Sequence, residues 1–179
     1  DETPVEELQR VIAVNLEAPM LLAQTVLKGM LEQGKGHIVN ISSLAGLGGF
    51  AHGESYCATK HGLVGFTRAL RFSLAARGSN VSASVICPGY ISDTGMFATR
   101  KEAHELEAPA MLGTSPPSDV VNAVIRSIEK DLPEVIVNSK PVRPGLALAA
   151  LFPGLAEKLA QAIGVNRVAE KIAKAISNH

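Results

Sequence analysis

Tyr56 and Lys60 stand four residues apart in Ser55-Tyr56-Cys57-Ala58-Thr59-Lys60, a spacing that places both on one face of a helix with their heads close together. A phenol with pKa near 10 is only about 0.1% ionised at pH 7, too little for efficient proton transfer. A neighbouring ammonium changes this. At about 4 Å and an effective dielectric near 20 it attracts a phenolate by about 4 kcal/mol, enough to lower the pKa by up to roughly three units before solvent screening. Tyr-x-x-x-Lys also occurs on helix faces that serve solubility alone, so its company decides the reading. Ser43 ends a short β-branched run, with a loop of Gly46, Gly48, Gly49 and Gly53 between it and Tyr56, so its hydroxyl can converge on the same pocket. Pro88-Gly89 closes a second such run. Ligands of open α/β sheets sit at the carboxyl ends of strands, and three elements deliver polar groups to that rim.

The elements that must position these groups follow from periodicity. Thr3, Pro4 and Glu6 read as a capping box opening a first helix, with Leu8, Val11 and Ile12 on its apolar face. The helical pattern continues through Leu21, Leu22, Val26 and Met30, but Pro19 interrupts it and leaves the carbonyl of Asn15 free. His37-Ile38-Val39-Asn40-Ile41 reads as a strand, Ser55 to about Ala76 as a long helix with Gly78 at its end, and Val81 to Cys87 as a second strand. A helix from near Ser118 to near Lys130 leads to a third strand, Glu134 to Asn138. Strands alternating with helices predict an α/β fold with a parallel sheet. Ile38 to Ile41 looks apolar on both faces, as in a strand with two neighbours, and such a strand is hazardous at an edge. The expectation is therefore a C-terminal part of a larger domain, with a sheet neighbour lying before Asp1. Residues 1–143 form the catalytic portion in this reading, and 144–179 a helical tail. That tail reads as two short helices separated by Gly164, with stripes Leu155, Leu159, Ile163 and Val168, Ile172, Ile176.

Composition bounds the rest. The chain has 179 residues, 46% hydrophobic and 19% charged, enough for one core and too apolar for a disordered tail. Lys+Arg and Asp+Glu both total 17, so no excess positive charge favours nucleic acid. No apolar stretch reaches the roughly 18 residues that a membrane helix needs. Two cysteines and no secretion signal favour a cytoplasmic setting.

Four motifs now stand in order: Val14-Asn15-Leu16, Gly36-His37-Ile38-Val39-Asn40-Ile41-Ser42-Ser43-Leu44-Ala45-Gly46, Tyr56-Cys57-Ala58-Thr59-Lys60, and Pro88-Gly89. Together they resemble the short-chain dehydrogenase/reductase family from Asp1 to about Asn138. The resemblance implies a Rossmann-like parallel sheet with flanking helices, here without its N-terminal strands. It implies NAD or NADP as cofactor and a small-molecule carbonyl or secondary alcohol as substrate. Tyr56 would exchange the proton, Ser43 hold the substrate oxygen, Lys60 lower the tyrosine pKa and, with Tyr56, contact the cofactor, and Asn15 hold a water. Pro88, Gly89, Ile91 and Thr94 would grip the nicotinamide end, although Thr94 falls one residue later than usual and Asp93 takes the commoner place. The Gly-rich turn that receives the pyrophosphate is absent from this chain, and so is the residue that separates NAD from NADP. The chain alone is expected to bind cofactor poorly.

Other patterns carry less. Cys57, His61, His52 and Cys87 lack the spacing of a zinc site, so no metal is expected. A hydrolase triad on Ser43 lacks its G-x-S-x-G turn. Gly62 and Gly65 fit either packing within the chain or the helix pairing by which related proteins form homodimers and homotetramers. Met96, Phe97, Leu106 and Met111 would line a substrate cover, and the tail stripes, with Lys158, Lys171 and Lys174 nearby, would pack on protein more readily than on a membrane surface or over an apolar substrate. The rival to an enzyme is a protein keeping this fold as a cofactor sensor or assembly subunit.

Overall fold

In a computed structural model, the structure describes residues 3–94, 108–109, 112–162 and 170. The expected substrate cover (Met96, Phe97, Leu106, Met111) and the second tail stripe with Ile163 and Gly164 lie outside them.

Three strands form a parallel sheet in the order β1–β2–β5: β1 (Gly36–Ile41), β2 (Val81–Pro88) and β5 (Glu134–Val137). The register runs Gly36 opposite Val81 to Ile41 opposite Ile86, and Val85 opposite Glu134 to Pro88 opposite Val137. β2 is the central strand, buried on both faces. Ala83 packs with Ile38 and Ala23 on one side, while Ile86 packs with Val135, Val137 and Ala123 on the other. That alternation makes three layers: α2 (Ala18–Gln33) and α3 (Glu54–Ala76) below the sheet, α4 (Pro117–Glu129) above it. β1 has one neighbour among the described residues. Its outer edge opens into a groove of about 510 Å³ against α2, walled by Leu22, Val26 and Ile38.

The first helix departs from expectation at both its start and its middle. α1 (Val5–Ile12) is capped by Pro4, not by Thr3: Pro4 sits at φ −58°, ψ 145°, an extended conformation, and its carbonyl accepts from the amides of Glu7 and Leu8 at 3.1 Å. No side chain caps this end. Pro19 does not break the helix either. A π-turn over Ala13–Glu17, in which the Ala18 amide reaches back five residues to the Ala13 carbonyl, widens the coil just before the ring, and α2 continues on the same axis conformation. Val5–Gln33 is thereby one rod of 29 residues containing an 18-residue window of mean hydropathy 1.3, long and apolar enough by length and composition to cross a bilayer, which corrects the expectation that no such stretch exists. Ala23, with Leu27 and Met30, lays the rod against the sheet, while Val5, Val14 and Leu22 are more than 60% exposed, Val14 and Leu22 on the wall of the groove beside β1.

α3 ends as its sequence predicts. Gly78 at φ +64° donates to Ala75, and the Ser79 amide donates to the Leu74 carbonyl at 3.1 Å, closing a Schellman turn that only glycine enters cheaply. Arg71 ties α3 to the sheet and to the turn before β5, with both guanidinium ends on the Asp131 carboxylate at 2.8 Å and a third bond to the Ser82 hydroxyl at 2.7 Å. A ribbon of two residues per strand, β3 (Tyr90–Ile91) with β4 (Thr114–Ser115), extends the rim beyond Pro88-Gly89. The described part of the tail forms α5 (Arg143–Leu151) and α6 (Pro153–Ala162), parted at Phe152 because Pro153 cannot continue a helix from α5. Leu155 and Leu159 of α6 are exposed, at 49% and 43%.

Candidate active site

α3 begins directly after the glycine loop, with Gly53 buried against the Phe50 ring where a Cβ would collide. This entry puts Tyr56 and Lys60 on the first two turns. The Lys60 ammonium lies 5.6 Å from the centroid of the Tyr56 ring and donates to the Ile41 carbonyl at 3.2 Å. Burial pushes the Lys60 pKa below its ordinary value, with Cys87 acting weakly the other way. A desolvated ammonium gains most from a nearby anion, which is what a tyrosinate would offer.

Ser43 reaches the same place from the sheet. Leaving β1, the chain makes a tight turn over Leu44–Gly46 that Ser43 caps, its Oγ accepting from the Ala45 amide at 3.1 Å and donating to the Pro88 carbonyl at 3.4 Å. The neighbouring Ser42 hydroxyl donates to the Lys60 carbonyl at 3.0 Å. A Cβ on Gly46 would stand 2.6 Å from that carbonyl, so only glycine lets the turn press onto α3. The loop carrying Ser43 is thus fastened to the residue that carries the ammonium. Asn15, in the π-turn, donates its Nδ2 to the Val11 carbonyl at 3.1 Å and lines the β1 groove together with Lys60.

Pro88 ends β2 beside Ser43, and Gly89 donates to the Val137 carbonyl at 2.9 Å. Gly89 is crowded by the Asn138 side-chain oxygen, a residue that sequence reasoning passed over. Asn138 clamps the rim by donating to the carbonyls of Leu112 and Lys140, both at 2.9 Å. Its position at a strand's carboxyl end was the available signal. In the β3–β4 ribbon the Ser92 amide donates to the Ser115 carbonyl at 3.0 Å, and Ile91 pairs in register with Ser115. In a parallel ladder this turns the N–H and C=O of Ile91 away from β4. Thr94 does not join the group. Its amide bonds to the Ser92 carbonyl at 2.8 Å across Asp93, which has φ 63°, and this γ-turn leaves Thr94 exposed.

Cys87, next to Pro88, is fully buried with Val64 and Val85. Burial, aided by the Glu134 carboxylate, pushes its thiol up to about 12. Cys57 is also buried and shifted up by burial, and the His61 ring contacts the Cys57 carbonyl at 2.9 Å. Gly62 faces Leu16 of the same chain, so its small size serves intrachain packing.

The model of the short chain dehydrogenase family matches residues 1–105. The chain belongs to this family. The ketoacyl reductase HetN of Nostoc sp. is 42% identical over 148 residues, which cover 83% of this chain and 50% of that protein. The 3-oxoacyl-[acyl-carrier-protein] reductase FabG of Rickettsia felis is 38% identical over 121 residues, 66% of this chain and 49% of that one. The solved structure of an actinorhodin polyketide ketoreductase with NADPH superposes with a TM-score of 0.68 at 31% identity, covering 79% of this chain and 60% of that one. The chain spans about half the length of the curated relatives it matches. As a short-chain dehydrogenase its Rossmann-like sheet and helices are those expected, and the coverage accords with a partial fold.

Proposed function

We propose that this short-chain dehydrogenase serves an NAD(P)-dependent oxidoreductase that interconverts a carbonyl and a secondary alcohol, with Tyr56 as the acid–base group. The observation that carries the reading is the Lys60 ammonium 5.6 Å from the Tyr56 ring centre, on a helix bonded through Ser42 to the loop of Ser43. The residues fit a nicotinamide dinucleotide at one end. Ile91, two residues after Gly89, turns its backbone N–H and C=O away from β4, and a carboxamide could take both. Lys60 would hold the ribose hydroxyls. When bound, the cofactor supplies a hydride to the carbonyl carbon or accepts one from the alcohol.

The chain's own residues handle the proton. Ser43 Oγ accepts from the Ala45 amide, which polarises its O–H, and on rotating from the Pro88 carbonyl it donates to the substrate oxygen. Tyr56 gives its hydroxyl proton to that oxygen in reduction and removes it in oxidation. Lys60 steadies the tyrosinate left behind, and Asn15, on the same groove wall, orders a water through which the proton is replaced. The names of the relatives support a ketoacyl carbonyl as the oxidised substrate. The exposed apolar side of α1 and α2, with Phe72 on α3, supports a homodimer or homotetramer.

In the complete natural polypeptide, Tyr56→Phe is expected to lower kcat by about 10²–10⁴-fold while cofactor affinity stays unchanged. Stopped turnover with fluorescence titration of the reduced cofactor measures both. Undiminished turnover would remove Tyr56 from the reaction, and cofactor binding without turnover in either form would favour the sensor.

A further inference from the structure

The tail carries an apolar face that stands open. Leu151 closes α5 at 73% exposed, Phe152 follows at the joint at 57%, and Leu155 and Leu159, one turn apart on α6, are exposed as well. The opposite side of α6 is polar: Glu157 and Gln161, also one turn apart, bond to each other at 3.3 Å. Lys158 falls at the border between the two sides, where a long stem can lie along apolar surface while its ammonium reaches outward. Leu146 is half-buried and lies toward Gly48, so α5 seats the tail on the glycine loop and leaves Leu151 to solvent.

Charge divides the chain at the same place. Residues 139–179 hold six cations, Lys140, Arg143, Lys158, Arg167, Lys171 and Lys174, against Glu157 and Glu170, a net of +4. Residues 1–138 hold 11 Lys and Arg against 15 Asp and Glu, a net of −4, so the formal total of zero hides an asymmetry. The other exposed apolar surface, the rod Val5–Gln33, has the opposite sign, because Glu6, Glu7, Glu17 and Glu32 outnumber Arg10 and Lys28. Two copies pairing tail to tail would bring like charges together. Periodicity alone favours packing on protein for this stripe; exposure and the division of charge reverse that order.

We propose that the α5–α6 tail lies on an anionic lipid surface, with Leu151, Phe152, Leu155 and Leu159 entering the acyl boundary and the cations of the tail facing the headgroups. Apolar side chains on one side of a helix with lysine at the border make an interfacial anchor, and each cation near an anionic leaflet adds to the attraction. This inference goes beyond the redox reading and does not depend on it. Seated on the loop between Ser43 and Tyr56, the tail would hold the rim of the site beside the bilayer.

The test is co-sedimentation of the complete natural polypeptide with vesicles of phosphatidylcholine alone or with about 30% phosphatidylserine. Wild type is compared with a Leu155→Gln, Leu159→Gln double variant, whose changes fall on exposed positions and should leave the thermal midpoint of the free protein in place. Expected are anionic vesicles bound at least about tenfold more tightly than neutral ones, a loss of at least about tenfold in the double variant, and a similar loss at about 0.5 M salt. Wild type left in the supernatant with anionic vesicles overturns the proposal, and so does equal binding to both kinds. Undiminished binding by the double variant puts the bilayer on another surface, such as the rod, and overturns the assignment to the tail. A double variant of half the wild-type mass in light scattering marks the face as an interface between copies, and a fallen midpoint marks it as packed inside the complete polypeptide; either result overturns the proposal.

Discussion

His37 shows how one side chain sets a condition on the whole sheet. The Ser84 hydroxyl donates to the Leu132 carbonyl at 2.5 Å, so it accepts from His37 Nε2–H at 2.7 Å, and in the neutral ring the unprotonated nitrogen is then Nδ1, 3.9 Å from Asp131 Oδ1. Burial lowers the His37 pKa, with Asp131 opposing and Arg71 reinforcing that shift. The native state therefore binds this proton less readily than the unfolded chain, whose imidazole titrates near 6.5. Stability from this site is complete above that value and is lost as pH falls through it toward the lower native pKa. Denaturation midpoints should hold above the unfolded value and drop as pH falls below about 6.5. His37→Gln, which keeps a donor for Ser84, should flatten that decline, and an unaltered slope would assign the acid sensitivity elsewhere. Asp131 enters only in stronger acid, since Arg71 holds its carboxyl below the ordinary 3.8.

Helix α3 carries two glycines whose replacement should have opposite signs. At Gly65 nothing lies within 4 Å of a new Cβ, so Gly65→Ala should stabilise by about 1 kcal/mol through helix propensity alone. At Gly62 the Cβ would meet both methyls of Leu16 at 3.1 Å, so Gly62→Ala should lose that gain and destabilise by about 1 kcal/mol or more. Urea unfolding of both variants checks the pair, and equal shifts would mean that the π-turn yields freely. The same contrast marks what the chain's letters could tell. β-branched runs, helical spacing and Gly78 are local, and β1, β2, β5, α3 and the Tyr56–Lys60 face were legible from them. The π-turn was not, because the hydrophobic period is too coarse to register one added residue, and a ribbon of two-residue strands leaves no period at all. Pro4 in place of Thr3 as cap and the exposure of Thr94 depend on tertiary surroundings. Ser43, Tyr56 and Lys60 could be grouped by type and spacing, but their fastening through Ser42 and Gly46 required coordinates.

At the scale of the molecule, the carboxyl ends of all three sheet strands converge on one rim: Ser43 after β1, Gly89 after β2, Asn138 after β5. The tail adds to it, since Leu146 of α5 lies 3.4 Å from where a Cβ on Gly48 would stand, and Arg143 at its start faces Glu134 at 3.7 Å. Both cysteines sit beneath this rim with their thiols shifted upward by burial. Sulfur reacts with alkylating reagents as the thiolate, so neither should be consumed while the fold is closed. Iodoacetamide uptake at pH 8, followed by mass spectrometry, then becomes a clock: Cys57, in the first turn of α3, should report fraying there, and Cys87, in the central strand, should label only as fast as the sheet comes apart. Simultaneous labelling of the two would mean that the rim opens as one cooperative unit.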